Sequence, residues 1–141
     1  MAATLIPLNE DAEKYRNALE EWISQAEQWQ DFTVDAKGNR RYLDRSIEPH
    51  VLPLLKSLGL PVLTGSEEWG FTLWRFSITE FVDQLQKDIY TIPINIVTGN
   101  PQFIVGSQRI KVVLGHYTTT QGDFQLTPEL DCLFVGERPK T

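Results

Sequence analysis

Histidine and cysteine are scarce in this chain, which limits the chemistry that its side chains can do. The sequence holds two histidines, His50 and His116, and one cysteine, Cys132. His116 falls in a β-like stretch, where it could act as a general base at the rim of a sheet. A dyad of Cys132 and His116 is disfavoured because Cys132 alternates with apolar residues, as core cysteines do. We predict no catalytic residue.

Metal and phosphate sites have no support in the sequence. One cysteine and two distant histidines cannot build a tetrahedral zinc site without carboxylates. The acidic residues lack the regular spacing of a calcium-binding loop. Neither a glycine-rich dinucleotide motif nor a P-loop occurs. We therefore expect no metal and no cofactor.

Two segments are candidates for binding rather than for catalysis. Trp69 follows Glu67 and Glu68 and precedes Gly70, which predicts a loop at this position. An aromatic residue in such a position is typical of an interface anchor, although it could equally be a lid over the core. The second segment is a basic cluster around a predicted hairpin: Lys37, Arg40, Arg41 and Arg45. This cluster could dock an anion or an acidic partner, or it could protect a sheet edge.

His116 and Asp131 define a third candidate. If a pocket lay between the sheet and the helices, these two residues would be its polar groups. The chain would then be a small-ligand-binding or hydrolase-like domain. A filled core would argue against this interpretation.

Size, composition and charge predict one soluble domain over residues 1–141. The chain is 41% hydrophobic and 23% charged, which is within the globular range. Its net charge of −6 disfavours nucleic acid and is compatible with a basic protein partner. No apolar run approaches the length of a membrane span, and the first residues lack a signal-peptide pattern. We expect a cytoplasmic protein; its oligomeric state is not predicted.

Three amphipathic helices are predicted. Apolar residues recur at helical spacing over 10–30 and 47–58. A third helix is predicted to follow Ser77, because Ser77 to Glu80 has the pattern of a capping box. The two ends of the chain, 1–8 and 136–141, are expected to be loose.

The strands fall mainly in the C-terminal half. A small hairpin is predicted at 32–34 and 40–43. The main sheet of about five or six strands is predicted at 69–76, 92–97, 103–105, 109–118, 124–126 and 130–135. Pro93 should place its strand at a sheet edge or at its own first position.

The pattern as a whole predicts an α+β fold, with a mostly antiparallel sheet covered by the helices on one face. The absence of convergent reactive groups favours a non-enzymatic protein-interaction module. Within that class are assembly factors, inhibitors or immunity-type proteins, and accessory subunits. The partner is expected to be another protein, with no role for a membrane.

Overall fold

The computed structural model describes residues 4–25, 32–34, 40–42, 47–59, 69–76, 80–82, 88–121, 124–127 and 129–137. Within these ranges the chain forms two helices and eleven strands. In chain order they are β1 (Thr4–Pro7), α1 (Glu10–Ile23), β2 (Phe32–Val34), β3 (Arg40–Tyr42), α2 (Glu48–Ser57), β4 (Trp69–Phe76), β5 (Glu80–Val82), β6 (Asp88–Ile96), β7 (Gln102–Val105), β8 (Gln108–Lys111), β9 (His116–Gln121), β10 (Phe124–Leu126) and β11 (Leu130–Glu137).

The described strands form two antiparallel sheets. The large sheet has the order β1-β9-β6-β11-β4-β3-β2, and the small sheet has the order β5-β10-β7-β8. Strand β11 lies at the centre of the large sheet, where it pairs with β4 on one side and β6 on the other. The predicted α+β class and antiparallel pairing are confirmed. The described strands form two sheets where one sheet of five or six strands was predicted, and a second core lies between these sheets.

Helix α1 begins where the sequence indicates. The Asn9 side chain accepts a hydrogen bond from the Ala12 amide at 2.7 Å, as an N-cap residue does. Leu19 and Ile23 are buried on the inner stripe of the helix. The described helix ends at Ile23, so the part of the prediction that covers 26–30 lies outside the described residues.

Helix α2 packs beside α1 on the same side of the large sheet. Its buried residues are Val51, Leu54 and Leu55. Pro53 lies inside the helix but does not divide it. Gly59, at φ 68°, then leads the chain away from the helix in a conformation that favours glycine.

The large sheet separates two cores. On the helix side, Leu73, Ile92, Leu133 and Val135 pack against α1 and α2. The core between the sheets is aromatic, and its buried members are Phe76, Phe103, Val105, Val112, Phe124, Leu126, Leu130, Cys132 and Phe134. Successive residues of β11 therefore alternate between the two cores, as the period of a strand requires.

A β-bulge in β6 explains how a central strand can contain proline. Asp131 lies opposite Asn95 while Cys132 lies opposite Pro93, so Ile94 is an extra residue on β6. Proline within a sheet is tolerated at bulges because the ladder is already interrupted there. The prediction that Pro93 lies at a sheet edge or at the first position of its strand is wrong, because β6 begins at Asp88 and lies between β9 and β11.

Arg16 on α1 satisfies the backbone at this bulge. Its Nη1 donates to the Ile94 carbonyl at 2.6 Å, and the residue is only 4% exposed. Glu13 and Glu20 bind the same guanidinium at 2.6 and 2.7 Å. Burial by itself lowers the pKa of Arg16, but hydrogen bonds to both glutamates offset this and leave the pKa raised. The buried guanidinium thus stays charged and paired.

The predicted third helix is wrong within the described residues. Glu80–Val82 forms β5, which pairs with β10, and β6 begins at Asp88. Apolar residues in this segment suit either structure, and pairing with other strands overrides the local capping pattern. Residues 77–79 and 83–87 lie outside the described residues.

Two further boundaries differ from the prediction. The strand predicted at 109–118 is split into β8 and β9, with Gly115 at φ 85° directly before β9. At the N-terminus, Thr4–Pro7 pairs with β9 instead of forming a loose end. The Gly115 carbonyl accepts a hydrogen bond from the Leu8 amide at 2.8 Å, which joins the end of β1 to the start of β9.

Gly115→Ala should destabilise the protein more than Gly106→Ala. Both glycines have positive φ, so each alanine costs about 1–2 kcal/mol in backbone strain. At Gly115 an added Cβ would also lie 3.2 Å from Glu13 Oε2, whereas at Gly106 it would meet nothing within 4 Å. Urea denaturation of both variants checks this, and equal losses would contradict the close packing of Glu13 on Gly115.

Candidate functional site

A row of polar side chains crosses the three central strands of the large sheet. Arg75 on β4 and Asn95 on β6 both lie opposite Asp131 on β11. Asp131 is fully buried and accepts from Arg75 Nε at 2.6 Å and from Arg75 Nη2 at 2.9 Å. Asn95 Nδ2 lies 3.4 Å from the same carboxylate. The row lies on the helix side, since Asp131 shares one face of β11 with Leu133 and Val135, which pack in the helix-side core.

The Arg75–Asp131 contact is a bidentate ion pair. The hydrogen bond to Asp131 raises the pKa of Arg75; burial opposes the rise, and the charges of Asp131 and Glu129 add to it. The Arg75 guanidinium is therefore held in its charged form. A carboxylate that already receives two guanidinium hydrogen bonds is a structural anchor, and it is poorly suited to act as a base.

Two arginines of the predicted basic cluster lie beside this pair. Arg40 on β3 is directly opposite Arg75, and Arg41 is opposite Trp74. The Arg41 guanidinium carbon lies 6.0 Å from the centroid of the Trp74 ring, within the range of a cation–π contact. Arg40 is exposed and Arg41 is half-buried. We call Arg40, Arg41 and Arg75 the β3–β4 arginine patch.

The patch reaches both faces of the sheet. Arg40 shares the helix-side face with Arg75, and the next residue, Arg41, points to the face that carries Trp74. The remaining members of the predicted cluster, Lys37 and Arg45, lie outside the described residues. The structure thus brings Asp131 close to part of the basic cluster, a combination that the sequence did not indicate.

His116 is the first residue of β9 and lies opposite Pro7. It is half-buried, and its Nδ1 lies 3.4 Å from the Leu114 carbonyl oxygen. Its neighbour Tyr117 packs on the helix-side core, so His116 faces the opposite way. Asp131 faces the helix side. The structure does not bring His116 and Asp131 together into one pocket.

Cys132 is fully buried in the core between the sheets. Burial, with a smaller contribution from the charge of Asp131, raises the pKa of the Cys132 thiol well above its ordinary value. Because the thiolate is the nucleophilic form, this cysteine is kept unreactive.

Of the predicted partner-binding residues Glu67, Glu68 and Trp69, the structure describes only the backbone of Trp69. Trp69 is the first residue of β4, where its backbone lies opposite Glu137, and its side chain is not described. Glu67 and Glu68 lie outside the described residues. Their role in partner binding stays a prediction.

A pair of buried threonines was missed by the sequence reasoning. Thr91 on β6 lies opposite Thr118 on β9, and both are fully buried. Neither hydroxyl has a hydrogen-bond partner. Threonine is common in strands, so no signal in the sequence could have marked these two.

The described residues include no group of three or more histidine, cysteine, aspartate or glutamate side chains placed to hold a metal ion. Over the same part of the chain, neither helix has the length and apolar character needed to cross a membrane.

No protein-family model and no curated protein matches the chain. Among solved structures, it is similar to a cupin-2 domain containing protein from Shewanella frigidimarina NCIMB 400, with 14% identity, a TM-score of 0.40, and coverage of 55% of this chain and 76% of that one. It is also similar to the conserved protein SPY1581, of unknown function, from Streptococcus pyogenes, with 9% identity, a TM-score of 0.42, and coverage of 77% and 82%. At these TM-scores neither likeness identifies a function for this chain.

Asp131→Ala should destabilise the protein by about 3 kcal/mol, because it leaves a partly buried guanidinium without its carboxylate. Arg75→Met removes the opposite charge. The double variant should lose less stability than the sum of the two single variants, which is the sign of a direct interaction. Chemical denaturation of all three variants measures this, and strict additivity would show that the pair is not coupled.

Thr91→Val and Thr118→Val should each stabilise the protein by about 1 kcal/mol, because valine has the same shape and removes an unpaired buried hydroxyl. Thr119→Val is the matched control, since Thr119 is half-buried on the other face of β9. Thermal unfolding of the three variants is the measurement. A loss of stability at Thr91 or Thr118 would show that its hydroxyl is hydrogen-bonded in solution.

Proposed function

We propose that this chain is a small non-catalytic domain that binds an acidic segment of another protein through the β3–β4 arginine patch. The observation that supports this most directly is the strand register, which gathers Arg40, Arg41 and Arg75 on two neighbouring strands. Like charges that face each other across strands repel, and carboxylates relieve that repulsion. Asp131 pairs with Arg75 inside the protein, and a partner's acidic side chains would add further neutralisation from outside.

The chemistry of the patch suits carboxylates. Guanidinium groups bind carboxylates through two parallel hydrogen bonds, as Arg75 already does with Asp131. Contact with the Trp74 ring restricts Arg41, so less side-chain freedom is lost when a partner binds. An extended acidic segment therefore matches either face of the patch in charge, with Arg40 and Arg75 on one face and Arg41 on the other.

A packed interior favours binding over catalysis. The described charged side chains that are buried, Arg16 and Asp131, are paired within the protein, and Cys132 is held as a neutral thiol. The net charge of −6 disfavours a nucleic-acid role for the same patch. That net charge by itself is compatible with a basic partner. At contact distance, however, local charges dominate, because more distant ones are screened beyond roughly 8–10 Å in physiological salt.

Arg40→Glu should weaken binding of a fluorescein-labelled octaglutamate peptide by about tenfold, or 1.4 kcal/mol. Arg40 is exposed, so the change should leave the fold intact. Lys14→Glu is the matched control, because Lys14 is an exposed cation on α1 and the change in net charge is the same. Fluorescence anisotropy at about 50 mM and about 300 mM NaCl measures both affinity and its salt dependence. Arg41→Glu tests the opposite face of the patch.

Equal weakening by Arg40→Glu and Lys14→Glu would contradict the proposal, because only net charge would then matter. Tighter binding of a single-stranded oligonucleotide with the same number of charges would also overturn it, in favour of nucleic acid. Thermal unfolding of each variant confirms that loss of binding is not loss of fold.

A further inference from the structure

Strand β8 is the terminal strand of the small sheet among the described residues. It forms a hairpin with β7 through a two-residue turn at Gly106 and Ser107, with Gly106 at φ 61°. Three of the four residues of β8, namely Gln108, Arg109 and Lys111, are exposed, and Ile110 is half-buried. Among the described strands, none pairs with the outer edge of β8.

The hairpin register decides which peptide groups of β8 face outward. In a two-residue hairpin the residues that flank the turn, here Val105 and Gln108, exchange hydrogen bonds with each other. Bonded and non-bonded pairs then alternate along the ladder. The Val112 amide donates to the Pro101 carbonyl at 2.9 Å, which continues the same alternation. The backbone groups of Arg109 and Lys111 therefore point away from β7.

The same two residues carry the charges of this edge. Arg109 and Lys111 are both exposed and share the outer face of the small sheet, since they are two positions apart. Ile110 lies between them and packs against the core between the sheets. Strands β7, β8 and β10 contain no aspartate or glutamate. The edge is thus cationic on one face and apolar on the other.

From this arrangement we infer that β8 takes an added strand from a partner protein, an extended segment with acidic residues at alternate positions and an apolar residue between them. Its backbone would bond to Arg109 and Lys111, and its acids would lie beside their side chains. The apolar residue would lie beside Ile110. This surface is separate from the arginine patch, so the inference does not rest on that proposal.

The positive charge of β8 also disfavours pairing of this edge with a second copy of the chain. Positive side chains on an edge strand discourage pairing with an identical edge. Two copies of β8 would bring Arg109 and Lys111 of each copy close together, whereas an acidic segment would neutralise them. The edge therefore fits a partner of opposite charge and not a second copy of this chain.

The experiment titrates ¹⁵N-labelled protein with two heptapeptides of the same composition. The first, acetyl-Thr-Val-Glu-Val-Glu-Val-Thr-amide, has its acids at alternate positions, and the second, acetyl-Thr-Val-Val-Glu-Glu-Val-Thr-amide, has them adjacent. The alternating peptide should bind at least tenfold more tightly. It should also slow hydrogen exchange of the Arg109 and Lys111 amides more than that of the Ile110 amide.

Variants separate this surface from the arginine patch. Arg109→Glu combined with Lys111→Glu should reduce binding of the alternating peptide at least tenfold, and Arg40→Glu should leave it unchanged. Equal binding of the two peptides would overturn the inference, as would protection confined to Ile110. Concentration-dependent dimerisation that the double variant abolishes would assign the edge to a second copy instead.

Discussion

The hydrogen bond from Arg16 to the Ile94 carbonyl joins the helical layer to the large sheet at its most irregular point. The bulge at Ile94 allows proline within a central strand, but it also frees a buried carbonyl from the ladder. A helix residue with a long, charged side chain supplies the missing donor, and two glutamates on the same helix neutralise its charge. Helix position, bulge and strand register therefore depend on one another, since moving any of them would leave a buried polar group unpaired.

Most buried charge in the described residues is neutralised by the protein itself, and this shapes what the chain can do. Arg16 and Asp131 each lie in an internal ion pair, which occupies their hydrogen-bonding groups. The described cations that lie on strands and are at least partly exposed are those of the arginine patch and of β8; Lys14 and Lys56 are exposed on the helices. Binding surfaces built on strands are rigid, which lowers the entropic cost of recognising an extended segment.

Local patterns in the sequence predicted elements that depend on neighbouring residues. Asn9 predicted the start of α1, and alternating residues predicted β11, because capping and strand period act within a few positions. Interactions between distant residues were missed. The capping pattern at Ser77 was misleading, because β5 is stabilised by pairing with β10 more than forty residues later. The Arg75–Asp131 pair spans 56 residues, and no local pattern could have joined it.

The central place of β11 has a consequence for how the chain reaches its folded state. Every other described strand precedes β11 in the chain. Its neighbours β4 and β6 therefore cannot complete their pairing until β11 has been synthesised. On a ribosome, the two halves of the large sheet would emerge first as separate pieces with apolar edges. Joining them requires contacts of long sequence separation, so we expect slow folding.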